Sequence, residues 1–121
     1  MIAKDTLLLL QRRMEGELYT DMLHKAVYAT DASVYRKVPL AVACPKSKND
    51  IKMLISFAGT HGVSLIPRAA GTSLAGQCVG EGIVVDVSKY FTNIVDVDEV
   101  AQTVTVEPGV IRDELNTHLA P

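Results

Sequence analysis

The stretch Val63–Gln77 constrains this chain more than any other. It begins as an apolar segment short enough for a buried strand, then breaks at Pro67-Arg68 into small residues and hydroxyls, Ala69-Ala70-Gly71-Thr72-Ser73-Leu74-Ala75-Gly76. Such a stretch has to end a strand in a loop. Gly71 and Gly76 let the backbone turn freely and approach a ligand closely, while successive N–H groups and the Thr72 and Ser73 hydroxyls can donate to phosphate oxygens. Arg68 is the only charge in the loop, and no acid there opposes it. A P-loop is excluded, because Gln77-Cys78 follows Gly76 where Lys and a hydroxyl residue are required. The dinucleotide fingerprint is excluded as well, since position 69 is Ala. Two readings stay open: a cradle for a phosphate-bearing ligand, or an ordinary Gly/Ser turn joining two strands.

The flanks set the layout. Pro39 and Pro45 enclose Leu40-Ala41-Val42-Ala43-Cys44, a short buried or edge strand. Ser47 to His61 reads as the clearest helix. Ser47 and Asp50 form a capping pattern, Ile51, Leu54, Ile55 and Ala58 make one apolar face, and Gly62 is the stop. Gly82–Val87 reads as a strand packed on both faces. Ile94–Asp98 and Thr103–Glu107 alternate apolar and polar residues, as a hairpin closed by residues 99–102 would. Asp96 and Asp98 share one of its faces, which reads as solvated. Pro108-Gly109 ends the hairpin, and Val110–Leu119 reads as a helix with His118 in its last turn.

Upstream, residues 5–15 read as a helix capped by Asp5 or Thr6 and stopped at Gly16. Thr20 and Asp21 cap a second helix through Met22, Leu23, Ala26 and Val27. Residues 1–27 therefore form an N-terminal helical segment. Tyr28–Tyr35 follows as an ordered loop with two aromatic anchors. This order of elements predicts an α+β domain, a mixed sheet flanked by helices. Ala120-Pro121 closes the last helix with nothing after it to cover the sheet, as in a piece of a longer protein.

A chain of 121 residues can bury a real core. Its net charge of −2 gives no reason to expect nucleic acid or an anionic membrane. Cys44 and Cys78 have no metal-ligand spacing and read as reduced thiols. His61 suits a helix C-terminus, and no metal site or catalytic residue is assigned. The run Leu7–Leu10 is too short for a signal core or a membrane span, so a cytoplasmic setting is the default.

Several segments stand in the order and spacing of a known family: Pro45-x-Ser47 with Asp50-Ile51, Gly62-Val63 before Ile66-Pro67-Arg68, Gly71–Gln77, Gly82–Asp86 and Val106-Glu107-Pro108-Gly109-Val110. On them, residues 28–121 resemble the first part of the PCMH-type FAD-binding domain of the p-cresol methylhydroxylase / vanillyl-alcohol oxidase superfamily. The resemblance is strongest to the branch of glycolate oxidase subunits and D-lactate dehydrogenases. It implies FAD as cofactor, with the loop of Pro67, Arg68, Ala69, Ala70, Gly71, Thr72, Ser73 and Leu74 wrapping the diphosphate and Gly76 supporting the turn. Pro108, Gly109 and Val110 would lie near the nucleotide end. Ala69 and Ala70 stand where glycines are frequent, which works as long as neither needs left-handed backbone. Covalent relatives place a His where Thr72 stands, so the resemblance implies non-covalent FAD.

The implied activity of a full-length protein is oxidation of a small 2-hydroxy acid such as D-lactate or glycolate, with this segment inactive alone. The alternatives are a flavin-dependent reductase or oxidase on another substrate, and a non-catalytic module that binds a phosphate-bearing ligand. Tyr28–Tyr35 resembles the entry segment of long members that carry an iron–sulfur region behind the flavin domain, some of them membrane-associated. An exposed sheet edge would favour self-association.

Overall fold

The structure, a computed structural model, describes residues 2–120. Four helices and six strands follow one another as α1 (Lys4–Gln11), β1 (Glu17–Tyr19), α2 (Met22–Val27), β2 (Ala41–Cys44), α3 (Lys48–His61), β3 (Leu65–Arg68), β4 (Ile83–Asp86), β5 (Ile94–Asp98), β6 (Thr103–Val106) and α4 (Arg112–Leu119). The expected α+β class and mixed sheet are what is found. Four strands pair in the order β1-β2-β4-β3, with β1 antiparallel to β2 and the other two pairings parallel. Strands β5 and β6 form a separate antiparallel hairpin.

Parallel strands cannot be joined by a tight turn. Helix α3 makes the crossover from β2 to β3, and residues 69–82 carry the chain back so that β4 inserts between them. Because β4 is central, all four of its residues are buried. Alternation divides them between two faces. Ile83 and Val85 join Ala41, Ala43, Leu54 and the α1 leucines Leu7 and Leu10 in one apolar cluster. Val84 and Asp86 point the other way, in register with Ile66 and Arg68 of β3. That second face carries the site described below.

Helix α3 is built from its ends. The Ser47 hydroxyl accepts from the Asp50 N–H at 3.2 Å, and Gly62 stops the helix in the left-handed region with φ 63°. Its inward face differs from the expected one. Asp50, Leu54 and Ala58 are buried, whereas Ile55 is 58% exposed. Asp50 takes the inward position because it has a structural task there, accepting the N–H groups of Glu15 (2.9 Å), Gly16 (2.8 Å) and Lys46 (2.9 Å). Burial raises the Asp50 carboxyl, but those N–H groups outweigh it and hold the group below its usual range. Gly16 has no room for a side chain, since a Cβ would lie 2.1 Å from the Cys44 carbonyl oxygen.

The N-terminal segment also departs from expectation. Helix α1 starts at Lys4 with Ala3 as an N-cap that makes no side-chain bond, and it stops at Gln11. Glu17–Tyr19, expected among helices, is a strand of the main sheet, because Leu18 fits between the sheet and α1 and is fully buried there. Helix α2 is capped by Asp21, as expected. Helix α4 begins at Arg112, two residues later than expected.

Candidate functional site

The parallel strands β3 and β4 end side by side, and the carboxyl ends of parallel strands are where open α/β sheets bind ligands. The loop after β3 starts at this edge. Gly71 and Gly76 both have positive φ, 67° and 76°, and Ala69 and Ala70 do not. The alanines are therefore unstrained. Among the described residues, the backbone N–H groups of Ala69, Ala70, Gly71 and Thr72 donate to no acceptor of the chain. Ser73 works inward instead. Its hydroxyl accepts the N–H groups of Ala75 (3.3 Å) and Gln77 (3.0 Å) and bonds the Gln77 side chain, which closes the loop on itself. Leu74 is 81% exposed and makes no part of a core.

Arg68 is half-buried at the foot of the loop. Its Nη1 donates to the Thr30 carbonyl at 2.7 Å, its guanidinium lies 5.1 Å from the centre of the Tyr28 ring, and it forms no ion pair among the described residues. The guanidinium fills the space a side chain at Gly71 would need, since a Cβ there would meet Nη2 at 2.6 Å. Gly71 is thus favoured by its backbone, and a side chain there would displace the guanidinium. Its carbonyl accepts the Ala32 N–H at 3.1 Å, so residues 30–32 are tied to the loop at two points.

Two features were not visible in the sequence. The loop itself contains no acid, but the fold brings Asp31 beside it. The Ser33 hydroxyl is the main influence holding that carboxyl below its usual range; burial opposes it, and the Ser33 N–H on Oδ1 (2.8 Å), Cys78 and Ser73 contribute less. The second is the partner of Tyr28, whose hydroxyl donates to Asp86 Oδ2 at 2.6 Å. Asp86 is 6% exposed and also accepts from the Ser88 N–H (2.8 Å) and hydroxyl (2.6 Å). Tyr28 is the anchor the sequence suggested, whereas Tyr35 is 58% exposed, with its ring against Gly76. A groove of about 280 Å³ opens there, lined by Tyr35, Arg36, Lys37, Ala75, Gly76 and Val79.

Pro108, Gly109 and Val110 come to the same edge from the other side. The Gly109 N–H donates to the Phe91 carbonyl at 2.7 Å, and a Cβ on Gly109 would lie 2.6 Å from the Val87 carbonyl oxygen. The Val87 N–H in turn donates to the Arg68 carbonyl at 2.9 Å, which links this segment to the foot of the loop. The three histidines are engaged elsewhere: His24 stacks on Tyr19 and bonds Asp21, His61 packs against Phe57, and His118 lies in the last turn of α4. No group of three or more metal-ligating side chains occurs among the described residues. No helix among them is long and apolar enough to cross a membrane.

The arrangement can hold an anion at the four open N–H groups, on backbone fixed by two glycines and backed by a cation with no ion pair among the described residues. A diphosphate fits this donor set: it offers several acceptor oxygens, and the loop offers donors in sequence.

Residues 39–121 match the family model described as FAD binding domain. The D-2-hydroxyglutarate dehydrogenase of Escherichia coli is 34% identical over 114 residues, which is 92% of this chain and 11% of that protein. The glycolate oxidase subunit GlcD of Bacillus subtilis is 37% identical over 89 residues, 72% of this chain and 19% of that one. The chain thus spans about a tenth to a fifth of the length of these relatives. Among solved structures, an alkyldihydroxyacetonephosphate synthase superposes with a TM-score of 0.82 at 17% identity, over 98% of this chain and 25% of its own. The p-cresol methylhydroxylase structure gives 0.81 at 12% identity, over 95% and 24%.

Proposed function

The chain belongs to the FAD binding domain family, and from that premise we propose that its β3–β4 loop holds the diphosphate of FAD in a dehydrogenase of small 2-hydroxy acids. The observation that carries this reading is the run of open N–H groups from Ala69 to Thr72, framed by left-handed Gly71 and Gly76 at the carboxyl ends of two parallel strands. Donors already fixed in place lose little conformational freedom on binding. Gly109 supports the site from below by closing the β4–β5 connection against Val87, so Pro108–Val110 acts through packing.

FAD, when bound, supplies the two-electron acceptor for oxidation of the 2-hydroxy acid to the 2-oxo acid. This chain's residues bind and orient the diphosphate. None of them is assigned the proton transfer, because His24 and His61 are engaged away from the loop, His118 lies in the exposed last turn of α4, and Asp86 and Asp50 each accept three structural hydrogen bonds. Binding is non-covalent, as Thr72 offers no imidazole to the flavin. The substrate class is supported by relatives named for D-2-hydroxyglutarate, glycolate and D-lactate.

Titration of the chain with FAD, ADP and riboflavin tests the reading. FAD and ADP are expected to bind competitively with inorganic pyrophosphate, and riboflavin, which lacks the diphosphate, to bind at least tenfold more weakly, a difference of about 1.4 kcal/mol. Riboflavin binding as tightly as FAD would overturn it. Binding of ADP and FAD with equal strength would favour a general diphosphate-binding module.

A further inference from the structure

Arg68 and Asp86 are direct partners in the register of β3 and β4, on the same face of the sheet. A cation and an acid so placed ordinarily pair. Here they do not, and Tyr28 is the reason: its hydroxyl takes Asp86 Oδ2 at 2.6 Å while its ring takes the guanidinium at 5.1 Å. We propose that Tyr28 is a positioning residue for the diphosphate loop: it keeps Arg68 from collapsing onto Asp86 and presents the cation, unpaired, beneath Gly71. The proposal rests on reading this loop as the diphosphate site.

The contacts form a closed circuit. Tyr28 joins β4 through Asp86 and β3 through Arg68; Arg68 reaches Thr30, and Gly71 accepts from Ala32. Every member beyond Tyr28 depends on where the guanidinium lies. An arginine side chain has about 2 kcal/mol of rotamer freedom to lose, and stacking on a ring is what holds it in one place. The phenol remains a donor at all ordinary pH, because burial and then the Asp86 carboxylate push its ionisation far above the usual range. Asp86 already accepts from Tyr28 on Oδ2 and from Ser88 twice on Oδ1, so the acid that would quench Arg68 is occupied. In Tyr28→Leu both restraints vanish, and the guanidinium falls onto Asp86, away from Thr30 and Gly71.

Amide hydrogen exchange and ADP binding on the 121-residue chain, compared among wild type, Tyr28→Phe and Tyr28→Leu, test this. In Tyr28→Leu the Ala32 N–H is expected to exchange at least about tenfold faster and ADP to bind about tenfold more weakly, while the Gly16 N–H on Asp50 keeps its rate. Tyr28→Phe keeps the ring against the guanidinium but frees Asp86 Oδ2, and is expected to fall between wild type and Tyr28→Leu in both. Unchanged Ala32 exchange in Tyr28→Leu would overturn the proposal. So would equal acceleration at Ala32 and Gly16, which would mark Tyr28 as a general support of the fold. If wild type binds no ADP while Ala32 responds as expected, the diphosphate reading fails and the hold of Tyr28 on the loop stands.

Discussion

The backbone N–H of Gly16 donates to Asp50 Oδ2 at 2.8 Å, across 34 residues of chain, and so joins the turn before β1 to the first turn of α3. A buried carboxylate that serves three N–H groups cannot be removed without orphaning them. Asp50→Ala is expected to cost about 2–4 kcal/mol of folding stability, measured by urea denaturation. The folded carboxyl lies below its unfolded value, so its stabilisation is full above the unfolded value of about 3.9 and is lost as pH falls through the folded one. Wild type should therefore lose stability steeply in acid, and Asp50→Ala should show a flatter profile below pH 4.

Two glycines make opposite predictions. Gly59 lies inside α3 with nothing within 4 Å of a Cβ, so Gly59→Ala is expected to stabilise the chain by about 0.5–1 kcal/mol. Gly71→Ala must place a methyl group against the Arg68 guanidinium on left-handed backbone, so it is expected to weaken ADP binding at least about tenfold, with a thermal midpoint lowered by only a few degrees. Calorimetric titration and thermal melting read the two effects separately.

What the sequence showed and what it hid have physical reasons. The left-handed loop positions were legible because only glycine adopts such backbone cheaply, and Gly71 and Gly76 both adopt it. The termini of α3 were legible for the same local reason, a hydroxyl cap and a glycine stop. Strand β1 was hidden because Glu17-Leu18-Tyr19 is too short to show alternation, and what makes it a strand is pairing with β2, well over 20 residues away. Apolar spacing predicted a buried Ile55, but the three N–H groups that need Asp50 decide how α3 is turned. Tyr28 meets Asp86 and Arg68, and Asp31 lies beside the loop, through contacts that no local pattern encodes.

The two thiols differ in burial. Cys44 is buried in β2, and burial, followed by the nearby Asp86 and Glu17 charges, pushes its thiol up to about 11. Cys78 is half-buried in the loop. At pH 8 a thiol reagent is expected to modify Cys78 alone in the folded chain, and Cys44 only after unfolding. Because the Cys44 thiol is raised, the stability it contributes is full below the unfolded value of about 8.5 and declines as pH rises toward the folded one. Modification of both thiols at equal rates in native buffer would contradict this placement.

Gln102, before β6, is the one non-glycine residue with positive φ among those described, at 53°. Left-handed backbone costs such a residue about 1–2 kcal/mol, and glycine loses about 0.5–1 kcal/mol in chain entropy. Gln102→Gly is therefore expected to stabilise the hairpin by about 0.5–1 kcal/mol, seen as slower amide exchange along β5 and β6.

The most direct test of the central claim is amide chemical-shift mapping of the ¹⁵N-labelled chain during titration with FAD. The account predicts that the largest changes fall on Ala69, Ala70, Gly71 and Thr72, with smaller ones at Ala32 and Gly109, and that inorganic pyrophosphate reproduces the changes at the loop. Changes centred on the α1–α3 surface, or saturation by FAD with the four loop amides unmoved, would contradict it.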